Sequence, residues 1–154
     1  MRIAIGVCAR NEESSIVSML DSLHVALEEE KFVDFKLFIC VNGCSDQTGT
    51  LATRWLGRHP LLNSNLIIKK EGNLVEAQRI IVCKSNSEGF DSIILLDADI
   101  ILDSRCIKEL IKNSTEKDVM VAYAVSYPIE RTKQTLVEKA INLYDNSTAV
   151  FSAR

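Results

Sequence analysis

The chain of 154 residues has no apolar run long enough to cross a lipid bilayer, which takes about 20 residues. It has no cluster of basic residues either, and its formal charge is −3, which argues against nucleic acid or an anionic membrane as the main partner. The apolar run 2–9 is short and is followed directly by charged residues, so it makes a poor signal peptide. We therefore expect a soluble, cytoplasmic protein without a transmembrane segment.

The five cysteines lack the spacing of a zinc site or a disulfide framework. Their number is odd and no C-x-x-C occurs. Cys8, Cys40 and Cys83 lie inside apolar patterns, which favours buried free thiols in a reducing compartment.

Several common catalytic signatures are absent as well. The chain has no G-x-x-x-x-G-K-[ST] phosphate-binding loop, no G-x-G-x-x-G after its first predicted strand and no G-x-S-x-G nucleophile elbow. Its histidines, His24 and His59, have no plausible catalytic neighbour in sequence, and we interpret both as structural or exposed.

The chain does contain a regular alternation of short apolar runs and amphipathic segments. Hydrophobic residues make up 47% and charged residues 25%, as in globular proteins, and 154 residues suit one domain, 1–154. The alternation predicts an α/β fold with a Rossmann-like, mostly parallel sheet and helices on both faces. Asn11 or Ser14 is the expected cap of the first helix. The predicted strands are 2–9, 36–41, 66–68, the run 93–102 and 119–125. The predicted helices are 13–30, one that follows the turn 42–48 and ends at about residue 58, 74–87, one starting at Asp103 or Ser104, and 132–146.

The run 93–102 is the most informative stretch, because two acids, Asp97 and Asp99, interrupt its aliphatic residues. This pattern predicts a central, buried strand that carries carboxylates at its C-terminal end. Buried carboxylates need a partner, and two of them spaced one residue apart are able to hold a hard divalent cation that grips substrate phosphates. The alternative is a strand that ends in Asp97, with Asp99 entering a turn.

Polar loops follow the first, second and fourth predicted strands, and a doubly wound sheet brings such loops to one edge. They are 9–12, 42–46 and 97–99. Together they offer a guanidinium, amides, backbone N–H groups at helix starts and two acids. This set of groups suits a nucleoside diphosphate with a metal. Taken singly, each has a simpler interpretation: Arg10 as a surface arginine, Asn42-Gly43 as a turn and Asp46 as a helix cap.

Three of these segments resemble motifs of one enzyme family, the family 2 glycosyltransferases. Residues 5–13 are similar to its opening strand and Asn-Glu-Glu loop, 41–48 to its second motif, usually an acid-Gly-Ser-x-Asp-x-Thr pattern, and 96–99 to its Asp-x-Asp metal motif. The segments occur in the family's order, each after a predicted strand. The resemblance covers most of the chain but only the N-terminal half of the family's domain.

The resemblance implies an incomplete GT-A fold that binds a nucleoside-diphosphate sugar, and a UDP-type donor is expected. By that analogy Asp99 binds Mn²⁺ or Mg²⁺ on the diphosphate, Asp97 faces the ribose or the donor sugar and shares the metal site, and Asp46 supports its loop. A metal at this place neutralises charge that builds on the leaving diphosphate. The positions that the resemblance assigns to the nucleotide are Ala9, Arg10, Asn11, Glu12, Asn42, Gly43, Asp46, Arg79, Asp97 and Ala98.

The chain departs from the family pattern near two loops. Relatives place acids before the glycine of the second motif, where this chain has Val41 and Asn42, although an amide also hydrogen-bonds a base. After the third strand relatives often carry Gly-Lys. Here Asn73 follows Gly72, and Arg79 is the candidate for the missing positive charge.

The largest departure is length. Inverting members take a general base, an Asp or Glu, from a region beyond the acceptor-side strand, and this chain stops at Arg154 before it. Glu130, a late acid near a strand end, is not assigned that role. We expect a donor-binding half that is either one subunit of a split enzyme, with a protein partner that supplies the acceptor half, or a truncated product. The apolar tail 148–154 suits docking or continuation. One alternative is a non-catalytic nucleotide-sugar-binding or regulatory module. The other is a sugar-phosphate nucleotidyltransferase, a class that usually has a Gly-rich, basic loop after its first strand, and Gly6 and Arg10 do not form such a loop.

Overall fold

The computed structural model describes residues 1–28, 30 and 33–114. Residues 1–109 form one compact unit, and 110–154 form a second, of which 110–114 are described. Outside the described residues lie the predicted strand 119–125, the predicted helix 132–146, Glu130 and the tail 148–154. The assignment of the whole chain to one domain therefore stays a prediction. Within the described ranges no helix is long and apolar enough to cross a membrane.

Strands and helices alternate along the described residues, as predicted. The elements are β1 (Arg2–Ala9), α1 (Ile16–Glu28), β2 (Asp34–Asn42), α2 (Thr48–Arg58), β3 (Ser64–Lys69), α3 (Leu74–Ser87), β4 (Ser92–Asp97) and α4 (Cys106–Ser114). The strands form one parallel sheet in the order β3-β2-β1-β4, in which Ile5 of β1 pairs with Leu37 of β2 and Ile94 of β4. Because the strands are parallel, all their carboxyl ends lie at one edge.

Helices cover both faces of this sheet. On one face α3 packs against β1 and β2, and its residues Ala77 and Ile81 join Ala4, Phe38 and Cys40 in a buried cluster. On the other face α2 packs against β2 and β3, with α1 beside it. The predicted Rossmann-like α/β fold is confirmed.

The first helix begins later than predicted, at Ile16 rather than at residue 13. Residues 11–15 form a turn of their own, in which the Glu12 carbonyl accepts the N–H groups of Ser15 and Ile16. Asn11, an expected cap, has φ 57°, and its side chain accepts the N–H of Ser45 in another loop. The capping prediction for Asn11 was therefore wrong, because a tertiary partner takes its amide.

β4 differs from the prediction in length and in burial. The strand ends at Asp97, and Ala98 and Asp99 form a turn, although aliphatic residues continue to Leu102. Within the described residues β4 pairs with β1 alone, so it lies at an edge of the sheet, and Leu95 is 42% exposed. The expectation of a central, buried strand is wrong for the described sheet. The alternative, a strand that ends ahead of a turn, is the one observed.

The cysteines and histidines take structural or surface positions. All five cysteines are free thiols, with Cys40 buried and Cys83 exposed, so the expected burial of Cys83 was wrong. The rings of His24 and His59 pack against Trp55, edge-on at 6.0 Å and stacked at 4.0 Å between centroids. The histidines thus help to join α1 to α2.

Candidate functional site

A cleft opens at the edge of the sheet where the strands end, the usual place for ligands in open α/β sheets. Its volume is about 360 Å³, within the range of small-ligand sites. The loops after β1 and β4 contribute, as predicted, together with Asn42 at the end of β2 and the first residue of α3. No other residue of the predicted loop 42–46 lines the cleft. The lining residues are Cys8, Ala9, Arg10, Glu12, Asn42, Leu74, Asp97, Ala98 and Asp99.

The acidic turn, residues 97–99, brings two carboxylates to this cleft. The side chains of Asp97 and Asp99 are exposed, and within the described part of the chain neither accepts a hydrogen bond or an ion pair. Because they are solvated, they do not need the partner that burial would require, and that step of the sequence argument was wrong. Ala98 between them is 3% exposed and anchors the turn.

The acidic turn suits a hard divalent cation that is shared with a ligand. Mg²⁺ and Mn²⁺ prefer oxygen ligands, and Mg²⁺ is commonly held by one or two carboxylates with substrate phosphates completing its shell. Among the described residues no group of three or more His, Cys, Asp or Glu side chains comes together as a metal site. Asp97 and Asp99 therefore fit a metal that arrives with a phosphate ligand better than one bound by protein groups alone.

The charges around the cleft are unbalanced. Among the described lining residues, Glu12, Asp97 and Asp99 are acidic and Arg10 is the positively charged one. Burial raises the pKa of the Cys8 thiol to about 11, so this lining residue stays uncharged at neutral pH. An anionic ligand would therefore need added positive charge, which a divalent cation supplies.

Two residues predicted to bind the nucleotide instead hold two loops together. We name residues 11–13 and 44–48 the loop joint. In it the Asn11 Oδ1 accepts the Ser45 N–H at 2.9 Å, and the Asp46 Oδ2 accepts the Glu13 N–H at 3.1 Å. Neither Asn11 nor Asp46 is among the residues that line the cleft. Both act as supports for the loops that do.

Thr48 lies at the centre of the loop joint and was not predicted as a site residue. It is fully buried, and its hydroxyl accepts the Glu12 N–H at 2.8 Å and donates to Asp46 Oδ1 at 2.6 Å. This hydroxyl, followed by the backbone N–H groups of Thr48 and Glu13, lowers the pKa of Asp46 below its ordinary value. A threonine two residues after an aspartate at a helix start was the available sequence signal.

Asn42 and Gly43 connect the end of β2 to the loop after β3. Asn42 is 2% exposed, and its Oδ1 accepts the Asn73 N–H at 2.8 Å. Gly43 has φ 65°, and its N–H donates to the Lys69 carbonyl at 3.1 Å. A Cβ atom on Gly43 would lie 2.3 Å from the backbone nitrogen of Gly72, so this crossing of two loops requires glycine. Asn42 lines the cleft and Gly43 does not.

Arg79 also lies apart from the residues that line the cleft. Its guanidinium makes two hydrogen bonds of 2.9 Å to the carboxylate of Glu76, one turn earlier on α3. In this structure its guanidinium is paired with Glu76 away from the cleft, and its assignment to the nucleotide stays a prediction.

No protein-family model matches the chain, and no curated protein matches it in sequence. Solved structures do match. TarS 1–349 of S. aureus aligns at 15% identity and TM-score 0.56 over 75% of this chain and 33% of that chain. The same protein in complex with UDP-GlcNAc aligns at 15% identity and TM-score 0.57, over 75% of this chain and 32% of that chain. The mannosyltransferase PcManGT of Pyrobaculum calidifontis, in complex with GDP-Man and Mn²⁺, aligns at 17% identity and TM-score 0.63, over 74% of this chain and 32% of that chain.

These neighbours are GT-A glycosyltransferases, and the likeness confirms the predicted GT-A type of the fold. At 15% to 17% identity the likeness concerns the fold alone. The chain spans about one third of the length of these structures, with 32% to 33% of each covered.

Proposed function

We propose that this chain binds a nucleoside-diphosphate sugar together with Mn²⁺ or Mg²⁺, as the donor-binding part of a glycosyltransferase. The observation that carries the proposal is the pair of exposed carboxylates, Asp97 and Asp99, in one cleft with Arg10 and Asn42. The fold supports it, because the similar structures include complexes with UDP-GlcNAc and with GDP-Man and Mn²⁺.

Each part of the cleft has a role in this proposal. Asp97 and Asp99 hold the metal, which neutralises charge on the leaving diphosphate when it is bound. The loop 9–12 and the buried amide of Asn42 border the nucleoside, for which a UDP-type donor is expected. The supports that keep these groups in place are Asn11, Gly43 and Asp46.

Transfer to an acceptor also requires a general base, and no described residue is assigned to that role. Glu130 lies outside the described residues. A protein partner that supplies the acceptor half stays a prediction.

Titration calorimetry of the full chain with UDP and with GDP, in MnCl₂ and in EDTA, tests the proposal. We expect metal-dependent binding that Asp99→Asn weakens by at least about tenfold, since one of the two metal-binding carboxylates is lost. Asp34→Asn is the matched control, because Asp34 carries the same carboxylate at the opposite end of the sheet, in an exposed ion pair with Arg2. Equal affinity in EDTA, or equal affinity of the wild type and Asp99→Asn, would contradict the proposal.

A further inference from the structure

Arg10 lies against the backbone of Gly72, in the loop after β3. A methyl group placed on Gly72 would lie 2.7 Å from Cζ of Arg10, 2.8 Å from Nε and 3.0 Å from Nη2. Favourable contacts between carbon atoms are at about 3.5 Å or more, so the guanidinium fills the space that a side chain at position 72 would take. The nearly equal distances mean that one flat face of the guanidinium covers Gly72.

Arg10 is exposed, and no partner of opposite charge among the described residues fixes it in this position. Its guanidinium makes no hydrogen bond or ion pair within the described ranges, although Glu12, Asp97 and Asp99 line the same cleft. A planar, permanently charged group with open N–H donors is well suited to pair with phosphate oxygens. An anion that enters a cleft with three carboxylates benefits from such a cation.

We propose that Gly72 is a positioning residue: its missing side chain seats Arg10, and the seated guanidinium binds phosphate oxygens of the nucleotide. The inference rests on the proposed function for the identity of the ligand. Gly72 does not have a positive φ, so Gly72→Ala places no side chain in the left-handed region, and the flexible Arg10 side chain has to move away from the added methyl group. Because the guanidinium ends a flexible side chain, we expect Gly72→Ala to displace it without unfolding the protein.

A double-mutant cycle on the full chain tests this coupling. Calorimetry gives the dissociation constant for UDP with Mn²⁺ in the wild type, Arg10→Ala, Gly72→Ala and the double variant. We expect about tenfold weaker binding for Arg10→Ala and a several-fold loss for Gly72→Ala. The double variant is expected to bind no more weakly than Arg10→Ala, because Gly72 acts only through Arg10. Gly57→Ala is the matched control, since a methyl group there has nothing within 4 Å, and its affinity is expected to be unchanged.

Uridine, titrated by NMR, separates recognition of phosphate from recognition of the base. We expect Arg10→Ala and Gly72→Ala to leave its affinity unchanged. Equal losses for uridine and UDP, additive losses in the double variant, or full UDP affinity in Gly72→Ala would each overturn the inference. If UDP binding by the wild type still depends on metal and on Asp99, those results leave the proposed function standing. A wild type that binds neither UDP nor GDP in the presence of Mn²⁺ overturns both.

Discussion

The loop joint reaches the cleft through Glu12, the acidic turn lines it with all three of its residues, and the two segments are built in opposite ways. In the loop joint the side chains of Asn11, Glu13, Asp46 and Thr48 are hydrogen-bonded, and the carboxylate of Asp46 alone accepts three hydrogen bonds. In the acidic turn neither Asp97 nor Asp99 has a partner within the described residues. Both carry carboxylates, and both resemble motifs of one enzyme family.

The difference distinguishes carboxylates that stabilise the fold from carboxylates that are available to bind a ligand. A carboxylate whose oxygens already accept hydrogen bonds stabilises the fold and has little capacity left for a ligand. An exposed carboxylate without partners adds little to stability and remains available to a metal. Substitutions in and beside the loop joint should therefore lower stability, and substitutions in the acidic turn should lower binding.

Gly43→Ala, directly before the loop joint, is expected to have the largest effect on stability, about 2–4 kcal/mol. Its φ of 65° disfavours a side chain, and the added Cβ would meet the backbone of Gly72 at 2.3 Å. Urea unfolding followed by circular dichroism gives the change. Gly57→Ala, in open space on α2, should instead stabilise the protein by about 0.5–1 kcal/mol. If Gly43→Ala were as stable as the wild type, the crossing of the loops would not need glycine.

Thr48→Val should cost about 1–3 kcal/mol, because the partly buried N–H of Glu12 loses its acceptor and Asp46 loses a donor. Thr53→Val is the matched control. Thr53 is exposed and donates to the Gly49 carbonyl within α2, so its replacement should change stability by no more than about 0.5 kcal/mol. Equal unfolding midpoints for the two variants would mean that the Thr48 hydroxyl does not hold the loop joint together.

Asp46→Asn should lower the unfolding temperature at neutral pH but not in acid. The pKa of Asp46 is lowered in the folded protein, chiefly by the Thr48 hydroxyl, so its ionised form adds stability above its ordinary value of 3.8. That contribution is lost as the pH falls through the lower pKa of the folded state. The measurement is the difference in unfolding temperature between the wild type and Asp46→Asn, taken from neutral pH to about pH 2.5. A difference of the same size at every pH would mean that the charge of Asp46 does not contribute to stability.

Asp99→Asn should have the smallest effect on stability, within about 0.5 kcal/mol of the wild type. The reason is that its carboxylate has no partner to lose within the described residues. The same urea titrations provide the measurement, and UDP binding with Mn²⁺ should fall in the same variant. A loss of stability as large as that of Thr48→Val would end the distinction between the two regions.

The sequence was sufficient for the alternation of strands and helices and for the edge at which the loops lie, but not for the edge position of β4 within the described residues. Helical spacing placed α3 at Leu74–Ser87, where the structure has it. The convergence of three loops at one edge follows from parallel strands alone. The end of β4 was harder to place, because the aliphatic residues 100–102 continue the pattern of the strand and the turn 98–99 contains neither glycine nor proline.

Local pattern could not separate supports from cleft residues. An aspartate beside a helix start can cap, bind a ligand or do both, and the choice for Asp46 depends on the Glu13 N–H, 33 residues away. Arg79 was likewise chosen as a nucleotide-binding residue for its positive charge, but in the structure its guanidinium is paired with the carboxylate of Glu76. In both cases the deciding partner is set by packing, which a motif does not contain.

The central claim is that the acidic turn and the loop after β1 face one site for a metal and a nucleotide. Broadening of backbone amide NMR signals by substoichiometric Mn²⁺, with and without UDP, tests it most directly, because the effect falls steeply with distance from the ion. We expect UDP-dependent broadening at residues 9–12 and 97–99, with Arg2 and Asp34 at the opposite edge unaffected. Broadening centred on that opposite edge, or none that depends on UDP, would mean that the cleft is not a joint site for a metal and a nucleotide.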